Sequence, residues 1–122
     1  AFYSARVGAL QMTLTVSLEN KDEHVNANVS CCWDPIDDEV PIRVGFFKDN
    51  QLLKECALES YDVRFCSESD PLKRISIYSQ QTTMWMHIRE IEESDMAEYA
   101  CVVELIDETI WIKTLILSED LI

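Results

Sequence analysis

From Leu10 to Leu18 apolar and polar residues alternate without a break, with Leu10, Met12, Leu14, Val16 and Leu18 on one parity and Gln11, Thr13, Thr15 and Ser17 on the other. Successive side chains of an extended strand point to opposite faces, so this pattern lays one face on a core and leaves the other in water. The same period returns at Val25, Ala27, Val29 and Cys31, at Ile75 and Ile77, at Met84, Met86 and Ile88, and at Tyr99, Cys101 and Val103. Helical spacing fits these runs badly. Turn-forming residues separate them, at Glu19 to Glu23, Asp34 to Pro41, Asp49-Asn50, Glu68 to Pro71, Glu92 to Asp95 and Asp107-Glu108. Asn and Asp supply there the turns that scarce glycine cannot. Many short strands at hairpin spacing predict an antiparallel sandwich or barrel.

Composition narrows this to one domain. A chain of 122 residues, 48% hydrophobic, holds one core and leaves little room for two, so a single domain over 1–122 is expected. With 23 acidic residues against 10 basic ones the formal charge is −13. Phosphate backbones and anionic membranes are repelled by such a chain, and a basic protein partner suits it better than nucleic acid. No apolar run approaches the roughly 18 residues that span a bilayer. The chain is expected to be soluble, with any membrane anchor of its parent outside it and any signal peptide already removed.

Ile88, Ile91, Asp95, Ala97, Tyr99 and Cys101 form the spacing I-x-x-I-x-x-x-D-x-A-x-Y-x-C, and Cys31 ends an alternating run 70 residues earlier. With these residues the sequence resembles the immunoglobulin superfamily. The resemblance implies a Greek-key β-sandwich in which Cys31 and Cys101 tie facing strands B and F together, and Tyr99 is the tyrosine corner that bonds back to the turn backbone. Arg74 and Asp95 fall where the family's variable-type domains pair an arginine with the aspartate of the E–F turn. The 70-residue gap leaves room for C′ and C″ strands, which favours the variable type (V-set). Two departures stand out. Phe46 occupies the slot of the usual strand C tryptophan, and strand G, Thr109 to Thr114, lacks the glycine-rich bulge of antigen-receptor domains.

Five cysteines leave one unpaired within the chain. A second bridge between Cys56 and Cys66 resembles the extra disulfide of T-cell costimulatory and coinhibitory receptors, and Cys101 to Leu105 is similar to the end of their strand F. Their proline-rich FG loop is absent. Cys32 is then the remaining thiol, read as half-buried and unreactive or, alternatively, as the link of a disulfide-bonded homodimer. Asn28-Val29-Ser30 is a glycosylation sequon whose asparagine faces away from the core. Together with the cysteines it favours the secretory pathway, and hence an extracellular, cell-surface or secreted protein. A cytosolic domain with reduced cysteines is the alternative.

Catalytic chemistry finds no support. The chain has no G-x-S-x-G elbow, Walker loop, dinucleotide fingerprint or H-E-x-x-H motif. His24 and His87 are expected far apart, and no C-x-x-C pair suggests zinc. Asp34, Asp37, Asp38 and Glu39 lack the ligand spacing of a calcium loop and read as a solvated charged loop, with contact to a basic partner and calcium binding as the alternatives. No cofactor, metal or enzymatic activity is therefore expected.

Binding in this fold uses a sheet face or the loops at one end. On the sheet of strands G, F, C and C′, Phe47 and Val102 alternate outward, and either Ile110 or Trp111 must face out. With Leu52 or Leu53 they make an apolar patch rimmed by Arg43, Lys48, Lys54 and Glu104, the composition of a protein interface. Phe47, Lys48, Val102, Glu104 and Trp111 are the expected partner-binding residues. Cover by neighbouring loops or by the N-terminal segment is the other reading of the same side chains. On the opposite sheet Trp85 points outward, where a glycan on Asn28, a second interface or the first strand could cover it. The expected function is non-catalytic recognition of a protein partner in immune regulation or adhesion, heterophilic rather than homophilic. A structural spacer domain and a secreted decoy are the alternatives.

Overall fold

The computed structural model describes residues 10–35, 39–67 and 74–121. Among them are nine strands: β1 (Leu10–Lys21), β2 (His24–Pro35), β3 (Pro41–Lys48), β4 (Gln51–Glu59), β5 (Asp62–Cys66), β6 (Ile75–Gln80), β7 (Thr83–Ile88), β8 (Ala97–Leu105) and β9 (Ile110–Leu117). They form a four-stranded sheet in the order β1-β2-β7-β6 and a five-stranded sheet in the order β5-β4-β3-β8-β9. Every pairing is antiparallel. The expected all-β sandwich is what the chain adopts.

Three hairpins turn on two residues of consecutive positive φ: Asp22-Glu23 (52° and 69°), Asp49-Asn50 (47° and 66°) and Ser60-Tyr61 (52° and 75°). That sign matches the right-handed twist of the flanking strands, which is why tight hairpins adopt it even without glycine. β1 continues through Lys21, paired with His24, so Glu19 to Lys21 belong to a strand and not to the expected turn. The expected turn at Glu68 to Pro71 lies outside the described residues.

The inward parities of both sheets meet in one core. Cys31 and Cys101, both fully buried, join β2 to β8 across it. Trp33, Tyr99 and Phe46 are its largest fully buried side chains. Phe46 fills the expected slot on β3, and the indole comes instead from β2, where Trp33 continues the parity of Val29 and Cys31. Its Nε1 donates to the Tyr61 carbonyl at 3.0 Å, which removes the cost of burying an N–H. The Tyr99 hydroxyl donates to the Asp95 carbonyl at 2.6 Å, closing the turn between β7 and β8. Burial, with the nearby Asp95 and Asp49 charges adding to it, holds the phenol well above its ordinary pKa.

Candidate functional site

The outward parity of the five-stranded sheet makes a grid whose rows follow from the register. The first row runs Ile110, Glu104, Arg43, Ala57 and Phe65, and the second Ile112, Val102, Gly45 and Glu55. The third runs Thr114, Ala100, Phe47 and Leu52, and Ile116 stands beside Glu98 in a fourth. β9 therefore presents three isoleucines to solvent, Ile110 at 54%, Ile112 at 52% and, beyond Thr114, Ile116 at 64% exposure. No described loop covers them.

Gly45 lies at the centre of the grid. A Cβ there would approach the tips of Leu52 and Phe47, each at 3.3 Å, so the glycine leaves a hollow that these side chains border. The hollow measures about 160 Å³ and is lined by Arg43, Gly45, Phe47, Glu55, Val102, Glu104 and Ile110 among others. Arg43 donates from Nη1 to Glu104 at 3.0 Å and brings Nε within 3.9 Å of Glu55. One cation between two carboxylates leaves this rim net negative. An apolar centre with a charged edge and a shallow depression suits a protein side chain better than a small enclosed ligand.

The structure brings Phe47, Val102 and Glu104 together on this face, as expected, and moves two other predicted residues off it. Trp111 pairs with Val103 on the inward parity and packs, partly buried, against the core, so Ile110 is the strand residue that faces out. Its Nε1 is buried with no hydrogen-bond partner among the described residues. Lys48 stands opposite Tyr99 at the end of β3 and donates to the Ser94 carbonyl at 2.6 Å, away from the face. A register shift between Phe46 and Phe47 turns Leu52 outward and buries Leu53. Lys54 reaches across to the Ile77 carbonyl of the other sheet. β9 carries apolar residues on both parities, so alternation alone does not place Ile112 and Ile116 on the outer face.

The other predicted features are spread over the molecule. Cys56 is bonded to Cys66, its direct neighbour on β5, with Cα atoms 4.0 Å apart. Cys32 is the free cysteine, half-buried on the outer face of the four-stranded sheet with Sγ 3.5 Å from the Thr83 hydroxyl. His24 lies 3.8 Å from Glu90, whereas His87 contacts Asn28 on another part of the sheet. Of the acidic loop, Asp37 and Asp38 lie outside the described residues, and Asp34 is exposed at the end of β2. Among the described residues no three His, Cys, Asp or Glu side chains are grouped to hold a metal ion.

No protein-family model matches the chain, and no curated protein is similar to it in sequence. Solved structures do match. A structure of murine CRIg aligns with a TM-score of 0.52 over 87% of this chain and 93% of that one, with 14% of residues identical. The fold is that of a variable-type immunoglobulin domain. In its terms β1, β2, β7 and β6 are strands A, B, E and D, and β9, β8, β3, β4 and β5 are strands G, F, C, C′ and C″. The C″ strand and the disulfide joining B to F are both present, and the grid described above is the outer GFCC′C″ face.

Proposed function

We propose that the chain is a single extracellular recognition domain that binds a protein partner through its GFCC′ face, without catalysis, as part of a cell-surface receptor, an adhesion molecule or a secreted binding protein. The observation that carries this reading is the row of exposed isoleucines on strand G beside Val102, Phe47 and the hollow over Gly45. Apolar side chains gathered in this way are costly in water and are what interface centres are made of. The net charge of −13 and the Glu104–Arg43–Glu55 rim favour a basic partner surface, reached faster at low ionic strength. Two intrachain disulfides support an oxidising compartment.

The test is a multimerised form of the domain applied to cells that display a panel of membrane proteins. Binding that is lost with Ile112→Arg and Phe47→Arg, and kept with Thr15→Arg on the opposite sheet, is the expected result. Loss with Thr15→Arg and retention with the other two overturns the assignment of the face. Concentration-dependent dimerisation of the pure domain, abolished by Ile112→Arg, would put homophilic adhesion in place of a heterophilic partner.

A further inference from the structure

We infer that Asn28 carries an N-linked glycan whose first sugar packs on the Tyr78–Trp85 aromatic pair, closing the outer face of the ABED sheet. This rests on the secretory part of the reading above and is independent of which face binds a partner.

The register sets the geometry. Ser30 stands opposite Trp85, Trp85 opposite Tyr78, and Asn28 opposite His87 one row away. Apart from these two aromatics, the neighbouring outward positions Thr13, Thr15, Ser17, Ser76 and Gln80 are polar. Tyr78 and Trp85 stack with ring centroids 5.3 Å apart and planes 21° from parallel, which leaves one broad apolar shelf on a polar face. Strand A lies on the far side of strand B from strand E, so it does not cover Trp85. Diagonal neighbours on one face of a sheet lie ~7–8 Å apart, within reach of a sugar ring attached to the asparagine. The negative face of an aromatic ring attracts the C–H bonds on the apolar side of a pyranose.

Asn28 itself is held in a suitable way. Its Oδ1 lies 2.8 Å from His87 Nδ1, a bond in which the amide oxygen accepts. Glycosylation leaves that oxygen untouched. In the transfer, Asn28 Nδ2 loses one proton and forms a bond to the anomeric carbon of an oligosaccharide carried on a lipid diphosphate. The lipid diphosphate leaves with the electron pair of the bond that breaks. One N–H remains, and His87 continues to fix the side-chain orientation.

The experiment uses the whole chain secreted from mammalian cells behind a heterologous signal peptide, trimmed enzymatically to its first N-acetylglucosamine. The same sequence from the bacterial periplasm, which adds no such sugar, is the control. Peptide mapping reads the occupancy of Asn28, and N-bromosuccinimide oxidation reads the accessibility of each tryptophan. Expected are an occupied Asn28 and at least threefold slower oxidation of Trp85 in the trimmed glycoform, with Trp111 on the other sheet oxidised equally in both. A bare Asn28 overturns the inference. So does an occupied Asn28 with Trp85 oxidised at the control rate.

Discussion

Arg74 meets Asp95 through two parallel hydrogen bonds, Nη1 to Oδ2 at 2.6 Å and Nη2 to Oδ1 at 3.2 Å. Asp95 is fully buried and also accepts from the Glu92 backbone N–H at 2.8 Å, while Arg74 keeps 22% of its side chain in solvent. The hydrogen bonds to Asp95 hold the guanidinium pKa above its ordinary value. Removing the arginine leaves a buried carboxylate with no cation, which costs about 3 kcal/mol or more. Arg74→Met is thus expected to lose about that much stability in urea unfolding. Arg74→Lys, which keeps the charge but not the fork, should lose less.

Tyr99 predicts the alkaline limit of the fold. Below about pH 10 the phenol keeps its proton in both the folded and the unfolded chain, and its contribution to stability is fully present. Above that pH the unfolded chain releases the proton and the folded chain, whose Tyr99 pKa is raised by burial, does not. Stability then falls by about 1.4 kcal/mol per pH unit until the folded pKa is passed. Urea unfolding at pH 9, 10 and 11 checks the slope, and Tyr99→Phe should flatten it.

The two disulfides are expected to contribute unequally. Their loops differ in length, 70 residues for Cys31–Cys101 and 10 for Cys56–Cys66. Chain entropy in the unfolded state then gives about 4 and about 3 kcal/mol. Cys56→Ser with Cys66→Ser should leave a folded domain, whereas Cys31→Ala with Cys101→Ala should be the less stable variant by thermal unfolding.

The two inward-facing indoles should respond differently to loss of their N–H. Trp33→Phe strands the Tyr61 carbonyl and leaves a gap in the core, for an expected loss of about 2–3 kcal/mol. Trp111 has a buried N–H with no partner among the described residues, so Trp111→Phe removes an unsatisfied donor along with some volume. Its expected cost is under about 1 kcal/mol, and denaturant midpoints of both variants decide the comparison.

Cys32 should give no covalent dimer. Its thiol is half-buried and engaged near Thr83, so wild type and Cys32→Ser are expected to run alike as monomers on non-reducing gels. A dimer band present only in the wild type would overturn this.

Where alternation is clean, as along β2 and β8, the sequence determines both the strand and its buried face, and Trp33 could have been assigned by extending the parity of Val25 to Cys31 by one step. Tyr99, Asp95 and Arg74 were legible because a turn motif of fixed spacing carries their chemistry. β9 was not, because Thr109 to Leu117 is apolar on both sides and only the pairing of Val102 with Ile112 sets its phase. The irregularity after Phe46 is equally silent in the sequence, since a shifted register changes no residue type. The sequence alone therefore does not choose between Leu52 and Leu53. A charge at a strand end, such as Lys48, reads as a rim residue whether it reaches outward or, as here, to a neighbouring carbonyl.

The hairpin tips have an evolutionary consequence. Asp22-Glu23 and Ser60-Tyr61 hold non-glycine residues in a backbone region that disfavours a Cβ by roughly 1–2 kcal/mol, partly offset by the smaller entropy a non-glycine residue loses on folding. Glycine at Glu23 or at Tyr61 is therefore a route to a more robust domain, and a Tyr61→Gly change would still offer Trp33 its carbonyl. Both positions lie at turns between strands, off either sheet's outer grid. A lineage of such domains can thus drift at its outer sheet faces, accept the instability that substitutions there bring, and recover it by single substitutions at the hairpins.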